Sequence, residues 1–168
     1  MVVGAPDANM FYVYQLASGA WTLRAQYQGT APTGNAVDIT NSYLVSSKDS
    51  TVTIYRRVWN GWVPHQIITH PQFPGAPWGT DVAIDQHRLV LGTGVFQSVA
   101  LYGLQGNYVH LGDMQFNLAG SAVSELPRIG FAVAIDNDDV IAGDPNARFS
   151  ASTDPNGALF FQKFWQVY

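Results

Sequence analysis

The chain has 168 residues, 47% of them apolar and 13% aromatic, with no cysteine and a formal charge of −4. Only 12% of it is charged, with one Glu (Glu125) and two Lys (Lys48, Lys163) against eleven Asp, so the residues that fill exposed helix faces are nearly absent and a helix bundle or coiled coil is excluded. The sole adjacent basic pair, Arg56-Arg57, gives no footprint for a nucleic-acid backbone, and the lack of cysteine excludes a disulfide scaffold, a thiol nucleophile and a cysteine-ligated metal.

The chain opens on the apolar run MVVGAP and continues from Met10 as MFYVYQLASGAWTLRAQY, two alternating strands around Ser18-Gly19, the second opened by Trp21. No basic stretch precedes an apolar segment at the start, so no signal peptide is expected in this chain. From Gly34, GNAVDITNSYLVSS reads as two short strands around Asn41-Ser42, and TVTIYRRVWNGWVPHQII from Thr51 as two longer ones carrying Tyr55 and Trp62. The same order returns as GTDVAIDQHRLVLG from Gly79, with Gln86-His87 as the turn, then SVALYGLQGNYVHLGDMQ with Tyr102 and Tyr108. It returns again as GFAVAIDNDDVIAG from Gly130, with Asn137-Asp138 as the turn, then GALFFQKFWQVY with Phe161 and Trp165. Between Leu89 and Gly112 no residue is charged, but Gln97, Gln105, Asn107, His110 and five glycines break the stretch. It reads as strands and turns, not as a membrane insertion.

A fixed repeat thus underlies the chain: four consecutive antiparallel strands in roughly 42 residues. MVVGAP superposes on VIAGDP at Val140 to Pro145, so the first copy begins at its second strand and has three strands where the others have four. The repeats run about 1–30, 31–72, 73–118 and 119–168 within a single domain. Small or β-branched residues in the first strand and aromatics in the later ones suit sheets whose inner strands crowd an axis and whose outer strands fill a wedge. The expected fold is therefore all-β, a β-propeller of about four four-stranded blades. A β-sandwich also has many short strands, but it does not require hairpin, loop and hairpin to recur in register.

VVGAPDANMFYVYQLASGAWTLRAQY, and GFAVAIDNDDVIAGDP followed by GALFFQKF, resemble the FG-GAP repeats of integrin-alpha-type β-propellers. The likeness covers the whole chain; it is closest in copies one and four and thinnest in copy two. It implies one blade per repeat, an extracellular or cell-surface location, and action by binding to a protein or a glycan rather than by catalysis. Many members hold calcium in a DxDxDG loop between strands one and two, with a ring of oxygen ligands. Here that connection is two residues, and even Asp136-Asn137-Asp138-Asp139 is too short to wrap around an ion. Asp136 and Asp138 are the nearest approach to a metal site; no cofactor is expected, and tight turns built on Asn and Asp account for these residues.

Catalytic signatures are missing: there is no GxSxG, phosphate loop or HExxH, and Gly92-Thr93-Gly94 lacks the helix that a dinucleotide fingerprint needs. A propeller-type hydrolase is therefore the least supported reading. The resemblance places ligands on the loops between strands two and three and on the links between blades. The candidates there are Asp7, Asn9, Asp144 and Asn146 beside the GAP and GDP turns, Arg148 and Phe149 in the longest loop, and Phe73, Trp78 and Phe116 in the Pro/Gly-rich linkers. Trp78 also suits a filler position between blades. The first copy's missing inner strand leaves three alternatives: part of a longer propeller, an assembly unit whose open edges pair with another copy, or a small ring closed imperfectly.

Overall fold

The computed structural model describes residues 1–28, 34–70, 75–93, 98–115, 130–137, 139–144 and 158–163. They form four antiparallel sheets, each following one repeat. Sheet 1 contains β1 (Val2–Ala5), β2 (Met10–Ala17) and β3 (Ala20–Gln28). Sheet 2 contains β4 (Val37–Ile39), β5 (Tyr43–Lys48), β6 (Thr51–Val58) and β7 (Gly61–Thr69). Sheet 3 contains β8 (Val82–Ile84), β9 (Arg88–Gly92), β10 (Ser98–Gln105) and β11 (Asn107–Gln115). Sheet 4 contains β12 (Ala132–Asp136), β13 (Asp139–Asp144) and β14 (Ala158–Lys163). Within every sheet, neighbours in space are neighbours in sequence. The outer strand expected from Trp165 falls outside the described residues.

The turns form where the sequence supplies local acceptors. Thr40 Oγ1 accepts the Ser42 and Tyr43 N–H groups at 3.2 and 2.9 Å, and at the same repeat position Asp85 Oδ1 accepts the His87 and Arg88 N–H groups, both at 2.8 Å. These side chains hold the chain in the reversal that two-residue hairpin connections require. Each complete long hairpin carries a bulge immediately before its tyrosine, between Val13 and Tyr14, Ile54 and Tyr55, and Leu101 and Tyr102. The residue left without a cross-strand partner is Arg24, His65 or Leu111. A bulge in register three times over is a built-in twist of the outer hairpin.

The sheets stack face to face, and period-2 alternation divides each strand between two neighbours. Phe11 and Val13 pack forward onto Leu44, Tyr55 and Trp62 of sheet 2. Val52 and Ile54 pack forward onto Leu89, Leu91 and Tyr102 of sheet 3. Val99 and Leu101 pack forward onto Val140 and Ala142 of sheet 4. Each of sheets 1 to 3 therefore presents its forward face to the backward face of the next.

Two further devices join the inner strands. Asp38 in β4 accepts the N–H of Ile39 through Oδ1 and, with Oδ2, that of Ile84 in β8, both at 2.8 Å. Asp81, just before β8, accepts the Val82 N–H at 3.0 Å and the Val133 N–H of β12 at 2.8 Å. Glycine sets the closest approach: Gly4 and Gly92 lie so near the carbonyls of Gly34 and Gly130 that a Cβ at either would overlap them. Gly34 and Gly130 themselves have φ of 87° and 86°, a conformation that a side chain strains. The repeated glycines thus make backbone-to-backbone contacts between successive sheets.

Candidate functional site

The hairpin turns of sheets 1 and 2 rise on one side of the molecule and enclose an open cleft of about 1110 Å³. Behind its floor lies the aromatic cluster of the core between sheets 1 and 2. Phe11 and Tyr27 stack at 4.9 Å, and Tyr55 meets Phe11 edge-on at 5.3 Å. Burial pushes the Tyr55 hydroxyl above its usual pKa, with the neighbouring Tyr27 adding to the effect. The Tyr27 hydroxyl accepts the backbone N–H of Trp62 at 2.8 Å, fixing the start of β7 against sheet 1.

On that floor stand three indoles: Trp62 at the start of β7, Trp59 in the turn between β6 and β7, and Trp21 at the start of β3. Trp59 is fully exposed and Trp21 is 53% exposed. A tight turn needs polar or small residues, so the Trp-Asn-Gly sequence at Trp59-Asn60-Gly61 spends an indole where the fold gains no burial from it. Arg57 lies 5.9 Å from the Trp62 ring centroid and donates to the Asn41 carbonyl at 3.4 Å. Arg24, the bulge residue of β3, donates from Nε to Gln15 Oε1 at 2.9 Å. Two cations, several amides and three indoles thus share one opening.

Of the residues expected to bind ligand, the described ones, Asp7, Asn9, Trp78 and Asp144, do not line this cleft. Asp7 and Asn9 lie at the connection between β1 and β2, a single 3-10 turn over Pro6–Ala8, where Asn9 is left-handed with φ 55° and donates its N–H to the Pro6 carbonyl at 2.9 Å. They form the turn. Trp78 is a correction: it is 1% exposed, within the core between sheets 2 and 3, with its ring edge-on to His70 at 4.5 Å. Its backbone N–H donates to the Asp49 carbonyl at 2.9 Å, which holds the indole away from the surface. Asp144 closes β13 opposite Ala158. Asp136 is exposed and accepts a bond from the Asn137 side chain at 2.9 Å. Phe73, Phe116, Asp138, Asn146, Arg148 and Phe149 fall outside the described residues, and among those described no group of three potential metal ligands occurs.

Among the described histidines, His65 Nε2 lies 3.3 Å from the Gly106 carbonyl, and His110 Nε2 lies 2.9 Å from Asp113 Oδ1. Trp59, Arg57 and Arg24 had no place in the sequence reading of the site. The available signal was the tryptophan inside a turn tripeptide.

No protein-family model matches the chain, and no curated protein is similar to it. Solved structures do match. A functionally unknown protein from Desulfotomaculum acetoxidans superposes with a TM-score of 0.54 at 13% identity, over 95% of this chain and 48% of that one. A protein from Lactobacillus plantarum superposes with a TM-score of 0.53 at 18% identity, over 96% of this chain and 56% of that one. The fold is β-propeller-like, and the chain spans about half the length of the solved chains it matches.

Proposed function

We propose that the chain is a non-catalytic recognition module of FG-GAP-like propeller type, acting outside the cell or at its surface, and that it binds an acidic glycan in the cleft between sheets 1 and 2. The observation that carries this reading is the fully exposed Trp59 facing an opening it shares with Trp21, Trp62, Arg24 and Arg57. Indole faces stack on the apolar faces of sugar rings, amides bond their hydroxyls, and guanidinium groups fork onto carboxylates. A protein partner is disfavoured by the concave, open shape. The volume lies at the upper edge of the roughly 300–1,000 Å³ typical of small-molecule pockets, which suits an extended chain of sugars.

Action by binding rather than catalysis is supported by Asp85, the one carboxylate among the described residues that line the cleft. Asp85 spends an oxygen on two N–H groups of its own turn, leaving it poorly placed as an acid or base.

Titration calorimetry with a polyuronate and with a neutral glucan tests this. The polyuronate should bind more tightly, and Trp59→Ala should weaken it about tenfold, the scale of one lost aromatic stack. Polyuronate binding that survives both Trp59→Ala and Arg57→Ala, or no binding by the wild-type chain, would overturn the reading.

A further inference from the structure

Three times in this molecule the forward face of one sheet is covered by the backward face of the next, and at the two ends of the stack one face of each kind is left over. The backward face of sheet 1 carries Val3, Tyr12, Tyr14 and Leu23, paired across the strands as Val3 with Tyr12 and Tyr14 with Leu23. Repeat register places Tyr14 with Tyr55 and Tyr102, and Val3 with Leu91. Tyr102 is 5% exposed and Leu91 fully buried, whereas Val3 is 41% and Leu23 47% exposed. The positions that form cores inside the stack are open here. At the far end, Val133 and Ile135 of β12 pack back onto sheet 3, so alternation turns Ala132 and Ala134 forward, both exposed, with Ile141 of β13 half-buried beside them.

We propose that the backward face of sheet 1 docks the forward face of sheet 4 of a second copy of this chain, and that two copies join head to tail through two such contacts. The contact continues the interface already used three times, apolar forward side chains against apolar backward ones. Complementarity is visible at one strand: β4 and the residue before β8 carry the clasping Asp38 and Asp81, whereas β12 has Ala134 and Ala132 in those places. Sheet 1 has no inner strand for such a carboxylate to clasp. The matched solved chains are about twice the length of this one, which covers 48% and 56% of them, so two copies supply the blade content of one. Closure of this kind buries faces that a single copy leaves wet.

Analytical ultracentrifugation of the whole chain tests this. Wild type should sediment at twice 18.3 kDa, and Val3→Glu and Ile141→Glu should each give monomers with unchanged far-ultraviolet circular dichroism. Leu23→Glu serves as the backward-face variant if Val3→Glu does not fold. Mixing the Val3→Glu and Ile141→Glu chains should restore association, because one forward face and one backward face remain intact between them. A wild-type monomer at every concentration, an oligomer indifferent to both changes, or a mixture that stays monomeric would each overturn the proposal. None of these outcomes depends on glycan binding.

Discussion

Asp38 does the work of a fastener at the scale of one side chain. It takes N–H groups from its own strand and from β8 at 2.8 Å each. Removing it leaves two backbone donors without their acceptor, so Asp38→Ala should cost about 1–3 kcal/mol. Burial nevertheless pushes its carboxyl above the ordinary aspartate value of 3.8, outweighing the lowering by the Ile84 and Ile39 N–H groups, and the charge of Asp81 pushes the same way. A carboxyl whose folded pKa exceeds its unfolded one binds its proton more tightly when folded. Its contribution is full below the unfolded pKa and is lost as pH rises through the folded one. Urea unfolding from about pH 3.5 to about pH 7 should therefore show the stability difference, wild type minus Asp38→Asn, shrinking as pH rises above 3.8. A difference that grows with pH would show that the hydrogen bonds outweigh burial.

Between neighbouring elements the controlling contact is glycine against glycine. A methyl group on Gly92 would overlap the Gly130 carbonyl, which is main chain and cannot swing aside. Gly92→Ala should therefore separate sheets 3 and 4 at their inner strands and cost about 2–4 kcal/mol, within the range of strained or overpacked core changes. Gly106→Ala, in an open turn with no atom near its Cβ, pays only for its φ of 83°. Thermal melts of the two variants compare the effects directly; equal losses would remove the close-approach argument. Elements of this kind were legible in the sequence because they are local. Hairpins at Asn41-Ser42 and Gln86-His87, aligned tyrosines and repeating glycines announce themselves within a few residues. What lay beyond reach was which side of a linker would meet the sheets. Trp78, among Pro and Gly, suits either a loop contact or a filler position between blades; its backbone N–H bond to Asp49 and a ring contact with His70 hold it in the core. Trp59, in the turn between β6 and β7, is fully exposed. Its partners Arg24 and Arg57 come from different sheets, so only the stacking brings them together.

For the whole molecule, stability follows from a stack in which described sheets share cores only with their immediate neighbours. Such a molecule approximates a one-dimensional array, each unit held by its own pairing and by its interfaces. Sheets 2 and 3 each have two interfaces, and among the described residues the core between them is the largest, containing Trp78, Ile54, Leu89 and Leu91. Sheets 1 and 4 each have one. Amide exchange of dilute monomer should therefore rank sheets 2 and 3 as the slowest, with sheet 1 opening at lower free energy. The rank is informative because propensity alone predicts otherwise: β2 and β3 are as long as β6 and β7 and carry five aromatics against two. If interfaces dominate, Tyr14 exchanges faster than Tyr55 although both follow the same bulge. Raising the concentration until chains associate should then slow exchange in sheets 1 and 4 and leave sheets 2 and 3 nearly unchanged. Uniform exchange across all four sheets would mean that the stack unfolds as one unit, with its end faces already as stable as its middle.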